Sequence, residues 1–149
     1  ARPGDALAVT GPLGGAAAGL HVLREGLGGF EQLVALHRHP PIRLAEGRRL
    51  APVAHAVVDL SDGIAGDAAR IAERSGCRLV LEPDRIPRVP GIEEVADLPF
   101  WTMGEDYELL AALPPEDAQG LGLTVVGRCE EGAGVEPTDL PGWDALGAN

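Results

Sequence analysis

The sequence predicts a layered α/β or α+β domain, and three observations predict it. Short apolar runs at residues 6–10, 56–58, 77–82, 109–113 and 123–127 have the length and composition of strands. Between several of them, apolar residues recur at helical spacing, most clearly Ile64, Ala68, Ile71 and Ala72. Glycine and proline punctuate the junctions. Strands that alternate with helices bury their faces by stacking in layers, although the pattern does not fix which strands run parallel. There is no internal repeat.

Residues 6–10 read as a strand that ends in Gly11-Pro12-Leu13-Gly14-Gly15, after which Ala17, Leu20, Leu23 and Leu27 supply a helical face. The order suits a dinucleotide fingerprint, but the glycines do not match G-x-G-x-x-G and no acidic ribose partner follows at the expected distance. These glycines are expected to let the helix start pack tightly against the sheet. A second helix is expected over residues 30–36, stopped by Pro40-Pro41, with His37 and His39 diverging at its end as solvated or capping side chains. Residues 44–52 read as a polar connection. The helix of residues 64–75 is expected to end at Gly76 in a left-handed cap, and residues 77–82 follow as a strand. Residues 83–99, with four prolines, form the least regular segment, with a short helix at 92–98. A strand at 109–113, one turn at 116–121, a strand at 123–127 and a Gly-, Pro- and acid-rich tail complete the chain.

Composition narrows the function. At 149 residues the chain fits one domain, large enough to remove roughly two-thirds of its unfolded surface from water. Only 3% of residues are Phe, Trp or Tyr, so the core must be built from Ala, Leu, Val and Ile. The net charge of −11 argues against nucleic acid and anionic membranes as partners, since both require a basic face. No apolar run approaches the ~20 residues of a membrane span, and residues 1–5 lack the features of a signal peptide, so a cytoplasmic setting is expected. Cys77 and Cys129 form no C-x-x-C and read as two buried reduced thiols.

The chemistry concentrates at Asp59-Leu60-Ser61-Asp62-Gly63, a strand-to-helix turn. Ser61 or Asp62 is expected to cap the helix, and the helix N-terminus favours an anion. Yet Asp59, Asp62 and Asp67 add negative charge at the same point. Carboxylates clustered beside a phosphate are consistent only if cations lie between them, which describes a metal-nucleotide edge. The alternative is simple capping, for which Asp and Ser are common choices.

Taken together, Gly4-Asp5 with Val9-Thr10-Gly11-Pro12-Leu13-Gly14, His39-Pro40-Pro41-Ile42-Arg43, Val58-Asp59-Leu60-Ser61-Asp62-Gly63, Gly104-Glu105-Asp106-Tyr107-Glu108-Leu109-Leu110 and Val125-Val126-Gly127-Arg128 resemble the thiamine-monophosphate kinase family, in its order. The resemblance covers nearly the whole chain, but only the C-terminal half of the family's two-domain proteins. It implies an aminoimidazole-ribonucleotide synthetase C-terminal-like layered domain, a mixed sheet packed with helices, over residues 1–149. The N-terminal ATP- and metal-binding domain, which carries the homodimer contact, is not in this chain.

The resemblance further implies transfer of the γ-phosphoryl of ATP to thiamine monophosphate, giving thiamine diphosphate, with Mg2+ as cofactor. By the same resemblance Asp59 and Asp62 are magnesium ligands, Ser61 contacts a nucleotide phosphate, and Glu105 and Trp143 hold the substrate. No side chain is implied as a catalytic acid or base. Met103 stands where the family usually has a glycine, and the segment of residues 83–102 is shorter than usual, so the substrate wall is expected to differ. Two alternatives are a stand-alone module that binds thiamine phosphates or metal-nucleotide without turnover, and another kinase or ligase of the same superfamily.

Overall fold

The computed structural model describes residues 1–140. A six-stranded sheet runs in the order β2-β4-β1-β5-β3-β6, built from β1 (Ala6–Val9), β2 (Ala56–Asp59), β3 (Arg78–Leu81), β4 (Leu109–Leu113), β5 (Thr124–Glu130) and β6 (Gly134–Glu136). All pairings are antiparallel except β3 with β6, so the sheet is mixed. This pattern makes β1 and β2 end, and β4 begin, at the same end of the sheet.

Central β1 is buried on both faces. Leu7 and Val9 point with Leu110 and Ala112 into a core that α4 (Ile64–Ser75) covers through Ile64, Ala68, Ile71 and Ala72. Ala6 and Ala8 point with Ala111 and Leu113 to the other face, where Leu50 and Ala118 cover them from α3 (Leu44–Leu50) and α6 (Pro115–Gly120). A third cluster joins α1 (Gly15–Glu25), α2 (Glu31–Arg38), α5 (Ile92–Val95) and the 3-10 turn of Phe100–Thr102 around Phe100 and Met103.

Several elements differ from the sequence expectation, each for a local reason. Residues 44–50 are helical, not a plain connection. Leu50 is buried under β1 and β4, Glu46 lies in the first turn, and Arg48 and Arg49 lie in the last, where they suit the helix dipole. The glycines at the start of α1 meet other elements rather than the sheet: a Cβ on Gly15 would meet Leu36 of α2, and Gly14 lies against the Phe100–Trp101 backbone. At Gly19 a Cβ would meet the Leu33 carbonyl, and at Gly14 it would lie 2.9 Å from the Trp101 amide nitrogen. The tail contains β6, which Glu136 ties to Arg78 of β3 at 3.1 Å. Gly76 ends α4 with φ 63°, the left-handed cap expected there.

Candidate active site

Two turns meet at the end of the sheet where β2 stops and β4 starts. Asp59 pairs with Leu109 as the last rung of the ladder. Beyond it the bonding continues through irregular backbone: Leu60 donates to the Glu108 carbonyl (2.8 Å), Tyr107 to the Leu60 carbonyl (3.0 Å) and Glu105 to the Ser61 carbonyl (3.0 Å). Glycine permits this approach at two points. Gly104 (φ 87°) passes so close to the other turn that a Cβ would lie 2.5 Å from the Gly63 nitrogen, and a Cβ on Gly63 (φ 97°) would strike the Thr102 carbonyl oxygen.

The first turn is closed from inside. Asp67, fully buried in the first turn of α4, accepts N–H bonds from Ser61 and Asp62, both 3.0 Å. This reverses the expected capping. Neither Ser61 nor Asp62 caps the helix through its side chain; Gly63 occupies the N-cap position. A carboxylate from within the helix thus holds the two amides that precede the N-cap. Burial is the main cause of a raised Asp67 pKa, opposed by the amide bonds and by Arg70. Arg70 pairs with Asp62 and lies 3.2 Å from the other oxygen of Asp67. Asp59 and Asp62 themselves face solvent, and among the described residues the half-exposed Ser61 hydroxyl has no hydrogen-bond partner.

The second turn alternates. Glu105 and Tyr107 face outward, while Asp106 and Glu108 are buried. Glu105 (φ 62°) and Tyr107 (φ 52°) are both left-handed, at a cost of about 1–2 kcal/mol each for an L-residue, so inward contacts must hold the turn. Asp106 accepts N–H bonds at the start of α1, from Gly14 at 2.8 Å and Ala16 at 3.2 Å. Burial pushes its carboxyl up to about 6, against the pull of these amides. Glu108 takes the Arg43 guanidinium on both oxygens, at 2.6 and 2.7 Å, and accepts the Thr10 hydroxyl at 2.5 Å; that hydroxyl in turn accepts from the Leu109 amide. Hydrogen bonding to Glu108 is the main reason the Arg43 pKa is raised. Sequence reasoning missed the distant partners that draw Asp106 and Glu108 inward. The available signal was the alternation of Glu105 to Glu108 leading into a strand.

One negative patch spans both turns. The Tyr107 phenol is pushed above its ordinary value first by the charge of Glu105, to which it donates at 3.2 Å, and also by the charges of Asp59 and Asp62. The structure therefore brings Asp59, Ser61, Asp62 and Glu105 to one end of the sheet. Trp143 lies outside the described residues. Asp59 and Asp62 offer exposed hard-oxygen donors, which fit magnesium in kind. They do not complete a site, because among the described residues no three Asp, Glu, His or Cys side chains converge to hold an ion. Beside Tyr107 runs an apolar groove of about 650 Å³ lined by Pro41, Ile42, Leu44, Val57 and Leu109. Among the described residues no helix is long and apolar enough to cross a membrane.

Comparison with known proteins places this geometry. The thiamine-monophosphate kinase of Methanopyrus kandleri is 39% identical over 145 residues, covering 91% of this chain and 47% of the relative. The structure of AaThiL complexed with AMPPCP and TMP superimposes with a TM-score of 0.86 at 31% identity, covering 96% of this chain and 52% of that one. Thiamine-monophosphate kinase from Stenotrophomonas maltophilia K279a gives a TM-score of 0.81 at 31% identity, covering 91% and 50%. The chain thus spans about half the length of the relatives it matches. The family described as AIR synthase related protein, C-terminal domain, matches residues 2–137, and this chain belongs to that family.

Proposed function

We propose that this chain is the C-terminal domain of a two-domain kinase that transfers the γ-phosphoryl of ATP to thiamine monophosphate, forming thiamine diphosphate. The observation that carries the reading is the backbone-bonded junction of the Asp59–Asp62 turn with the Glu105 turn, which sets carboxylates for metal-nucleotide beside a carboxylate for the organic substrate. The resemblance to kinases, one of them solved with AMPPCP and TMP, supports it.

A phosphate oxygen of the acceptor is already a nucleophile, so the reaction requires alignment and charge neutralisation rather than an activated side chain. In this reading Asp59 and Asp62 would supply part of the oxygen donor set for Mg2+, which would provide neutralisation of phosphate charge. The Ser61 hydroxyl, unpartnered among the described residues, donates to a nucleotide phosphate. Because Asp67 occupies the Ser61 and Asp62 amides, it is the Ser61 hydroxyl and not the Ser61 amide that makes that contact. Glu105 faces the cationic and hydrogen-bonding rings of thiamine, and Trp143 stacks on them. The half of the relatives' length outside this chain supplies the remaining metal ligands and the homodimer contact. The two buried free thiols accord with a cytoplasmic setting.

The test is thiamine diphosphate formation from ATP, Mg2+ and thiamine monophosphate, followed chromatographically. The full-length protein is expected to turn over and the 149-residue chain alone is not. No product from the full-length protein, or turnover by this chain that Asp59→Ala abolishes, would overturn the reading.

A further inference from the structure

Asp106 lies between the two outward residues of the second turn and has no part in the chemistry proposed above. Its geometry gives it another. The turn is clamped on two sides: its backbone bonds to Leu60 and Ser61 on one side, and the Asp106 carboxylate reaches α1 on the other, across 92 and 90 residues of sequence. The α1 anchor is itself fixed, since Gly19 lies against the Leu33 carbonyl of α2 and Gly14 against the Phe100–Trp101 backbone. Glu105 and Tyr107 occupy sparsely populated left-handed conformations that no local preference of Glu or Tyr would hold. Side chains alternate along this segment, so drawing Asp106 inward aims Glu105 outward.

We propose that Asp106 is a positioning residue: by accepting the Gly14 and Ala16 N–H groups it holds the 104–108 backbone in the conformation that presents Glu105 to the organic part of the substrate. The proposal rests on the kinase reading for the identity of that substrate, but the fixing of the turn does not. Both carboxylate oxygens are used. Asparagine retains one acceptor oxygen and turns an NH2 toward a backbone N–H, so it keeps half of the link. Alanine keeps none.

The experiment uses the full-length protein carrying Asp106→Ala, Asp106→Asn, Glu105→Gln, or Asp106→Ala with Glu105→Gln. Measured are KM for thiamine monophosphate, KM for ATP, and amide hydrogen exchange over residues 104–108 and the rest of the chain. Asp106→Ala is expected to raise KM for thiamine monophosphate about tenfold or more, as misplacement of a binding group does. KM for ATP should stay within about twofold, and Asp106→Asn should fall between wild type and Asp106→Ala. Adding Asp106→Ala to Glu105→Gln should change KM little further, because Asp106 acts through Glu105. Exchange should quicken in 104–108 while β1 and β4 stay protected.

Unchanged KM for thiamine monophosphate in folded variants, effects that multiply in the double variant, or unchanged exchange in 104–108 would each overturn the proposal. Should Asp106→Ala not fold, Asp106→Asn carries the same criteria at smaller amplitude. If wild type does not act on thiamine monophosphate, the kinase reading fails. Exchange in 104–108 then decides on Asp106: faster exchange in the variants upholds the fixing of the turn, and unchanged exchange overturns it.

Discussion

Replacing Gly104 by alanine should do far more damage than one methyl group ordinarily does. The added Cβ would stand 2.5 Å from the Gly63 nitrogen and 2.9 Å from the Asp62 carbonyl carbon, both backbone atoms that cannot rotate away, and would strike the Ser61 carbonyl oxygen. Alanine at φ 87° adds about 1–2 kcal/mol of backbone strain, and forcing the two turns apart adds about 1–3 kcal/mol more. The sum is roughly 2–5 kcal/mol, a large part of the ~5–15 kcal/mol that stabilises a typical domain. Gly66→Ala is the control. It sits within α4, its nearest neighbour to an added Cβ is 3.9 Å away, and loss of helical glycine should stabilise by about 0.5–1 kcal/mol. Urea unfolding followed by circular dichroism on the two variants should move the midpoint in opposite directions. A Gly104→Ala variant within about 1 kcal/mol of wild type would refute the argument that the two turns are locked backbone to backbone.

Three further outcomes follow from the same geometry. Burial raises the folded Asp106 carboxyl from 3.8 to about 6, so the folded chain keeps a proton that the unfolded chain releases. The stability this confers is full below about pH 4 and is lost as pH rises through 6, by about 3 kcal/mol at most. Relative to Asp106→Asn, wild type should therefore lose ground between pH 4 and 6.5 in chemical denaturation, and a constant difference would show that Asp106 titrates normally. Glu108→Ala strands the Arg43 guanidinium and the Thr10 hydroxyl and should cost roughly 2–4 kcal/mol, discounted because the Arg43 side chain is 25% exposed. Glu46→Ala, which removes only the more accessible partner of Arg43, should change the unfolding midpoint little, and equal effects of the two would contradict the assigned roles. In the full-length protein, Glu105→Gln and Trp143→Ala should raise KM for thiamine monophosphate while sparing KM for ATP. For Trp143 the loss of a cation-π contact of ~1–2 kcal/mol is about five- to thirtyfold, and normal binding by calorimetry would remove both residues from the pocket.

What the sequence disclosed and what it hid divide along sequence separation. The helix at residues 64–75 and the strand at 109–113 are legible because periodicity and their flanking turn residues lie within one window. The helix at 44–50 was not, since Leu44 and Leu50 straddle Gly47 among charges and only burial of Leu50 beneath β1 and β4 makes that face count. β6 was hidden for a similar reason: three residues amid glycine and acid become a strand only by pairing with β3, more than fifty residues earlier. At the site, the residue types of Asp59, Ser61, Asp62 and Glu105 stood out. Their supports did not. Asp67 closes the first turn from inside the helix, Asp106 reaches amides at Gly14 and Ala16, and Glu108 finds Thr10 and Arg43, partners 98 and 65 residues away. Local pattern therefore assigned capping to Ser61 or Asp62, where the folded turn instead places Gly63 at the N-cap and gives the Ser61 and Asp62 amides to Asp67.

Asp62→Asn in the full-length protein tests whether the Asp59–Asp62 turn holds metal for phosphoryl transfer. Asparagine keeps the size of the side chain and caps about as well as aspartate, and Asp62 does not cap α4 through its side chain in any case, so fold stability should barely change. Removing the charge at a metal should lower kcat for thiamine diphosphate formation at least a hundredfold, about 2.7 kcal/mol of transition-state stabilisation. That fall is expected with an unaltered Tm. A variant that turns over at near wild-type kcat in saturating magnesium would contradict the metal assignment.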